Sequence, residues 1–448
     1  MLKRLTSLAV ALSLAIATTA PATAQSRSPG VVRDAEVEGI IRAYATPLFE
    51  AAGLNAADIR IFLINDDRLN AFVAGGMNLF LNTGLLMRAE TANQVIGVIA
   101  HETGHIAGGH LARTQEALSN ASTEAIIAFV LGMAVAAAGQ GEAGTAIIGA
   151  GGTVAQADLL KYSRTQESAA DHAGVSYLDS TGQSSRGLLE FFEILEGQEL
   201  MLSGRQDPYL RTHPLSSDRI DFVRHHIEGS PFSDAAEPAG FTDGFGRMRA
   251  KLIGFLRPLN RVLQDYPESD GSLDGRYARS IGYYRAGQLD KALPLLDGLI
   301  AEHPDDPFFQ ELKGQILMEN GRGREAIPYY EESVRLAPHE PLLRVGLAQV
   351  LIDTEDPGLN RAALINLEEV TRIEPRNGNA WRLLSIAYGR DGQIPMTALA
   401  LAEAALLRGD NSEAWAQADR AMQQLPEGSP AWLRAQDIQN TADREKQQ

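Results

Sequence analysis

Residues 95–112, VIGVIAHETGHIAGGHLA, constrain this chain more than any other stretch. Five apolar residues, Val95, Ile96, Val98, Ile99 and Ala100, lead directly into His101-Glu102-Thr103-Gly104-His105. The pattern predicts a helix, on which residues four apart share a face. His101 and His105 can then offer two imidazole nitrogens to one ion. Glu102, next to the first of them, can reach a water without occupying the metal. That is the HExxH arrangement: two neutral nitrogens for Zn2+ and one carboxylate as general base. Histidines that only pack or cap would give the same letters by chance. A catalytic zinc also needs a third protein ligand and an open fourth position.

His110 is the nearest candidate, and Gly108 fits the longer metzincin pattern, but that pattern requires its histidine where Leu111 stands. On a continuing helix, His110 is rotated roughly 140° off the metal face. Glu167 is the better candidate. It sits 62 residues after His105 in Glu167-Ser168-Ala169-Ala170-Asp171, a segment that places Glu167 and Asp171 on one helix face. Glu167 can bind the metal while Asp171 accepts the free N–H of a ligating histidine. Arg164, one turn earlier, is placed to orient the Glu167 carboxylate. Without the upstream histidines the same segment reads as a surface helix with an acidic pair.

The surrounding sequence resembles the M48 family of gluzincin peptidases. Residues 70–86, NAFVAGGMNLFLNTGLL, resemble the family's strand-and-turn segment ahead of HExxH. Residues 167–171 resemble its ExxxD helix, and Thr212-His213-Pro214 followed by Arg219 resembles its late His-Pro segment. With the C-terminal repeats described below, the chain resembles the periplasmic subgroup that carries a TPR domain. The resemblance implies a gluzincin-type α+β zinc peptidase domain with a small sheet, one Zn2+ held by His101, His105 and Glu167, and an active site including Glu102, Asp171 and His213. It further implies unfolded or misassembled outer-membrane proteins as substrates, the barrel assembly machinery as partner, and chaperone-like assistance.

At the start of the chain, Lys3 and Arg4 precede an apolar run over residues 5–17 and then Ala22-Thr23-Ala24. This reads as a cleavable signal peptide spanning 1–24, hence export to the periplasm; the run is shorter than the ~20 residues a membrane-spanning helix needs. The chain contains no cysteine, which excludes disulfides and thiol catalysis. Its net charge of −17 argues against nucleic acid or an anionic membrane as partner.

Residues 31–52 read as an amphipathic helix, and residues 59–65 and 77–81 as short strands. The second strand, just ahead of the HExxH helix, is either ordinary core or a free edge onto which an extended substrate adds. The family resemblance favours the edge. Residues 125–138 and 145–155 are apolar but short, and read as a buried helical hairpin, with a cover over the site or a patch for membrane-protein substrates as the alternatives.

His213 lies in a loop-like stretch, aimed by the proline that follows it. Near a metal it could donate to the oxyanion of a tetrahedral intermediate, or fill the fourth metal position and hold the site inactive. A plain loop residue is the third reading.

Residues 231–244 are rich in Ser, Asp, Pro and Gly and read as a linker. Beyond it Gly287 and Gly321, Ala292 and Ala326, and Pro304 and Pro338 are each 34 residues apart, the tetratricopeptide period. The expected organisation is a signal peptide (1–24), a peptidase domain (25–245) and a mostly α TPR solenoid (246–445) of about four repeats, with Trp432 and Leu433 in a capping helix. The rival reading is a solenoid scaffold or chaperone with an idle or structural metal site. Glu102 weighs against it, because a structural site needs no general base.

Overall fold

The computed structural model describes residues 30–75, 77–110, 164–201 and 213–446. The expected signal peptide, the apolar runs at 125–138 and 145–155, and Thr212 lie outside these residues. No helix among the described residues is long and apolar enough to cross a membrane.

The amphipathic helix expected over 31–52 starts later, as α1 (Ala35–Ala51). The Asp34 carboxylate accepts from the Val37 N–H at 2.9 Å and caps it. The two residues ahead of this cap, Val31–Val32, instead pair as β1 with β2 (Arg60–Ile64). Two further strands, β3 (Ala71–Ala74) and β4 (Asn78–Asn82), complete a sheet of order β1-β2-β4-β3. The central β2/β4 pair is parallel and the outer pairs antiparallel.

This order corrects the expectation that the strand ahead of HExxH is an edge. β4 is hydrogen-bonded on both sides, and the edge nearest it belongs to β3. The reversal between them depends on Gly75, at φ 57°, and on Asn78, whose side-chain amide donates to Ala74 O at 3.0 Å and Gly75 O at 2.7 Å. Phe62, Phe80 and Phe72 stack across three strands, with ring centroids 5.0 and 5.1 Å apart.

Strand β4 runs straight into α2 (Thr83–Arg88), followed by α3 (Ala92–Ala107), the HExxH helix. It is buried from Val95 to His105. The α4 helix (Arg164–Ser180) crosses it where Gly104 meets Ala170 and Gly174 meets Ala100. A Cβ on Gly104 would stand 2.7 Å from the Ala170 carbonyl oxygen, so only glycine admits this approach. The α5 helix (Arg186–Met201) packs over α3 at Gly97, and α6 (Ser217–Gly229) packs on α4 and α5.

The segment read as a linker is tied to the peptidase half. Ser184 Oγ and Arg186 Nε both donate to Ser233 O, and the Asn93 N–H donates to Glu237. The expected boundary at 245–246 falls inside α7 (Phe241–Leu256), and a single apolar cluster runs from Val37 and Tyr44 through Phe245 and Met248 to Tyr277 and Phe309. Buried beside it, Glu36 accepts from Tyr277 Oη at 2.8 Å and pairs with Arg247 at 2.5 Å and Lys251 at 3.2 Å.

After α8 (Leu259–Asp265), five antiparallel helix pairs form the solenoid: α9/α10 (Leu273–Arg285, Leu289–Glu302), α11/α12 (Pro307–Glu319, Gly323–Leu336), α13/α14 (Pro341–Asp353, Pro357–Ile373), α15/α16 (Gly378–Arg390, Ile394–Leu407) and α17/α18 (Asn411–Met422, Pro430–Lys446). The turn within each of the first four pairs needs one left-handed residue. Gly287, Gly321 and Gly392 supply it at φ 74°, 76° and 74°, while the third pair uses Glu355 at φ 57°. Pro338 and Pro375 are 37 residues apart, three more than the period, and α14 of that repeat is correspondingly long at 17 residues. Trp432 and Leu433 lie in α18, the second helix of the fifth pair.

Candidate metal centre

Helix α3 brings His101, Glu102 and His105 to one buried point, α4 adds Glu167 and Asp171, and the segment entering α6 adds His213; all six are fully buried. His101, His105, Glu167 and His213 converge so that one ligand atom of each lies within 4.8 Å of the others. His101 Nε2 is 3.1 Å from His105 Nε2 and 3.3 Å from His213 Nδ1. Glu167 Oε1 is 3.3 Å from His105 Nε2 and 3.1 Å from His213 Nδ1, and Oε2 is 3.5 Å from His101 Nε2. A tetrahedron with metal–ligand bonds of 2.0–2.1 Å has edges of about 3.3 Å. The five separations above, 3.1–3.5 Å, lie near that edge, so the four side chains can converge on one ion, with His213 Nδ1 in the fourth position.

The charges fit a cation. Three buried carboxylates, Glu102, Glu167 and Asp171, face one buried guanidinium, that of Arg219. Burial works against a charge on His101, but hydrogen bonds with Asp171 and Glu167 outweigh it and raise its pKa to about 9. Burial drives His105 the other way, well below the ordinary imidazole range. Burial also opposes ionisation of Glu167, yet its interactions with His213, His101 and His105 outweigh burial and keep it ionised.

Outside the cage, His101 Nδ1 is 2.8 Å from Asp171 Oδ1, the contact expected of Asp171. Asp171 in turn accepts from Arg219 Nε at 2.6 Å and Nη2 at 2.9 Å, while Arg219 Nη1 reaches Glu167 Oε2 at 2.6 Å and Pro214 O at 3.0 Å. The guanidinium carbon lies 4.8 Å from the Phe192 ring centroid. Burial pushes the Asp171 carboxyl up, and the hydrogen bonds from Arg219 and His101 bring it below the usual carboxylate range. Arg219 therefore does what the sequence pattern assigned to Arg164, which is exposed on α4. The α6 helix carries Arg219 across from α5, whereas Arg164 starts α4 on its outer face.

Glu102 lies beside the cage without entering it. Neither of its oxygens has a hydrogen-bond partner, and His213 Nε2 is 3.4 Å from Oε1. Burial raises its pKa above the usual carboxylate value. His110 is not in the cage either. Its Nδ1 lies 3.1 Å from His105 Nδ1, on the side of that ring facing away from the other ligands.

A buried two-histidine, one-glutamate cage on an HExxH helix, with a carboxylate that makes no hydrogen bond at its rim, defines a metallopeptidase. Comparison with known proteins identifies the domain that carries it. Residues 32–227 match the model for peptidase family M48, and residues 277–341 match a tetratricopeptide repeat model. The chain is 27% identical to the putative beta-barrel assembly-enhancing protease of Vibrio cholerae over 379 residues, 83% of this chain and 77% of the relative. It is 25% identical to the beta-barrel assembly-enhancing protease of Escherichia coli K12 over 413 residues, 90% and 82% of the two chains. The E. coli metalloprotease YcaL is 29% identical over 169 residues, 38% of this chain and 61% of the relative. The chain thus carries an M48-family peptidase domain followed by C-terminal TPR repeats, and is a metalloendopeptidase.

Proposed function

We propose that this chain is a periplasmic zinc endopeptidase that cleaves misassembled envelope or outer-membrane proteins, with its solenoid recruiting substrates or assembly partners. The observation that carries the reading is the convergence of His101, His105, Glu167 and His213 with Glu102 at its edge, its oxygens free of hydrogen bonds. Two imidazoles and one carboxylate are the donor set zinc takes in peptidases. The envelope setting is supported by the signal-like segment at 1–24 and by relatives named for beta-barrel assembly that align over most of the chain.

His101, His105 and Glu167 would hold a zinc ion, which would supply Lewis acidity and lower the pKa of a neighbouring water so that it yields its proton readily. Glu102 accepts that water's proton and passes it to the leaving amine; burial, by raising its pKa, suits it to both transfers near neutral pH. Asp171 keeps the proton of His101 on Nδ1 and leaves Nε2 bare for the metal.

His213 acts in this proposal as a plug. Its Nδ1 sits 3.1 Å from Glu167 Oε1 and 3.3 Å from His101 Nε2, at ligand spacing, where the water has to be. Wild type, Glu102→Gln and His213→Ala, compared for zinc content and for cleavage of casein and an unfolded outer-membrane protein, test the whole reading. Glu102→Gln should keep its zinc and lose cleavage. Basal cleavage by His213→Ala should rise; a fall of about 100-fold would make His213 an oxyanion donor instead. Zinc-replete wild type that cleaves nothing, together with an inert His213→Ala, would leave the scaffold reading with an idle metal site.

A further inference from the structure

His110 follows the HExxH helix at a distance that excludes it from the metal, yet it is held in place with unusual care. Helix α3 ends at Ala107, and Gly109, at φ 61°, turns the chain back over the helix end. That turn lays the His110 ring against Gly108, where an added Cβ would stand 2.5 Å from His110 Nε2 and 2.8 Å from Cε1. Gly108 has an ordinary helical φ of −72°, so its requirement for glycine is steric, and the group that imposes it is the His110 ring. From the other side, Gln166 Nε2 donates to His110 O at 3.1 Å, tying the residue to α4 next to Glu167.

His105 Nε2 faces Glu167 and His101, so it must be bare to bind a cation. The proton of the neutral ring then sits on Nδ1, and His110 Nδ1 is 3.1 Å away with a lone pair to receive it. We propose that His110 is a positioning residue for His105: its Nδ1 accepts the His105 Nδ1–H, fixes that tautomer and ring orientation, and so raises the affinity of the site for metal. The two helix-borne histidines are backed by different acceptors, His101 by the Asp171 carboxylate and His105 by a neutral imidazole. The inference rests on the metal reading of His101, His105 and Glu167.

The test is zinc affinity, measured on the full chain by competition with a chromophoric chelator, for wild type, His110→Ala, His110→Asn, Gly108→Ala and the double variant Gly108→Ala/His110→Ala. Loss of an outer-shell partner costs about 10- to 100-fold in affinity, and a neutral acceptor belongs at the lower end, so His110→Ala should bind zinc about 10-fold more weakly. Asn places its amide oxygen close to the His Nδ1 position and should restore most of the loss. Gly108→Ala should weaken binding in the wild-type background and add nothing in the His110→Ala background, because both changes remove one contact. Proton NMR of the zinc-loaded protein should show a downfield His105 Nδ1–H resonance that is absent in His110→Ala and present in His110→Asn. Unchanged affinity in His110→Ala, no rescue by asparagine, or additive effects of the two substitutions would overturn the inference while leaving the metal site intact. Wild type that binds no zinc would overturn both.

Discussion

Arg219 is the position where a single substitution should separate the electrostatics of the metal centre from its ligand geometry. Among the described residues it is the buried cation that serves both Glu167 and Asp171, at 2.6 Å to each. Replacing it with Gln leaves two buried carboxylates short of a positive charge. Removing one partner of a buried ion pair costs about 3–5 kcal/mol, and with two carboxylates affected the metal-free protein should lie at the upper end, about 5 kcal/mol. A bound divalent cation neutralises Glu167, and His101 still serves Asp171, so the loaded protein should lose about half as much. For a cooperative unit of 150–250 residues, 1 kcal/mol moves Tm by about 2–4 °C. Differential scanning fluorimetry of Arg219→Gln should therefore show Tm lowered by about 10–20 °C in chelator and by about 5–10 °C in excess zinc. Arg219→Lys keeps the charge, loses the fork to Asp171, and should fall between wild type and Gln in both conditions. Equal Tm losses with and without zinc, or a loss under about 2 °C in chelator, would refute the argument that Arg219 balances the charge a metal otherwise supplies.

Gly104→Ala forces its Cβ from 2.7 Å to about 3.4 Å from the Ala170 carbonyl oxygen and so moves α4, with Glu167, by roughly 0.7 Å. Zinc affinity by chelator competition should fall about 100-fold or more, although no ligand has changed. A chain ended after residue 245 cuts α7 and removes Lys251 and Tyr277 from Glu36; it should fail to give a cooperative thermal transition, whereas a chain ended after Arg322, which keeps Phe309 and Ile316 in the shared core, should melt cooperatively. Glu311, on the solenoid wall facing Lys251, has its pKa raised to about 7 by burial, with Lys251 opposing. A raised carboxyl pKa means the folded state binds more protons than the unfolded one between about pH 4.5 and 7, so stability falls as pH rises through that window. Glu311→Gln should remove the fall, leaving the variant about 1–3 kcal/mol more stable than wild type at pH 8 in urea melts and equal to it below pH 4.5; equal stabilities at pH 8 would contradict this.

The legible part of the site was what local periodicity controls. His101, Glu102 and His105 are one helical turn, and Glu167 and Asp171 are another, so spacing alone placed each pair on its face. Arg219 was visible only as a letter near His-Pro, because what gives it meaning is the crossing of α6 over α4. Arg164 satisfied the helical rule equally well and turned out to face solvent. The rotation that turns His110 off the metal face holds only for a continuing helix, and the helix ends at Ala107. The turn at Gly109 instead carries the ring to the back of His105, and the Gly108-Gly109 pair was the available signal. Strand β3 was hidden because Ala71-Phe72-Val73-Ala74 is apolar throughout and shows no alternation. The seam between the halves was hidden for a related reason: a Pro- and Gly-rich stretch reads as a linker whether it hangs free or packs against Ser184 and Asn93, as it does here. The 34-residue period survived because each repeat turn needs one left-handed residue at a fixed offset, and Glu355 keeps that offset where the glycine is missing.

The four groups of the cage are not held alike, and this determines which of them can leave. His101 and His105 sit in the buried middle of α3, and Glu167 sits on α4 where Gly104 and Gly174 bring the two helices into backbone contact. Displacing any of these three means separating packed helices. His213 alone enters from a non-helical segment, four residues before α6 begins. The fork of Arg219 is anchored on Asp171 and Glu167 and touches the His213 segment through the Pro214 carbonyl, at 3.0 Å. Withdrawing His213 gives up that contact together with its own contacts to Glu167 Oε1 at 3.1 Å and Glu102 Oε1 at 3.4 Å, while Asp171 and Glu167 stay paired with Arg219. Each hydrogen bond to a charged group is worth about 1.5–3 kcal/mol, so opening requires a substrate or partner whose preference for the open form outweighs several such contacts. The same arginine that keeps the ligand helices in register thus holds the plug by a weaker arm, which makes opening at His213 compatible with an undisturbed His101, His105 and Glu167.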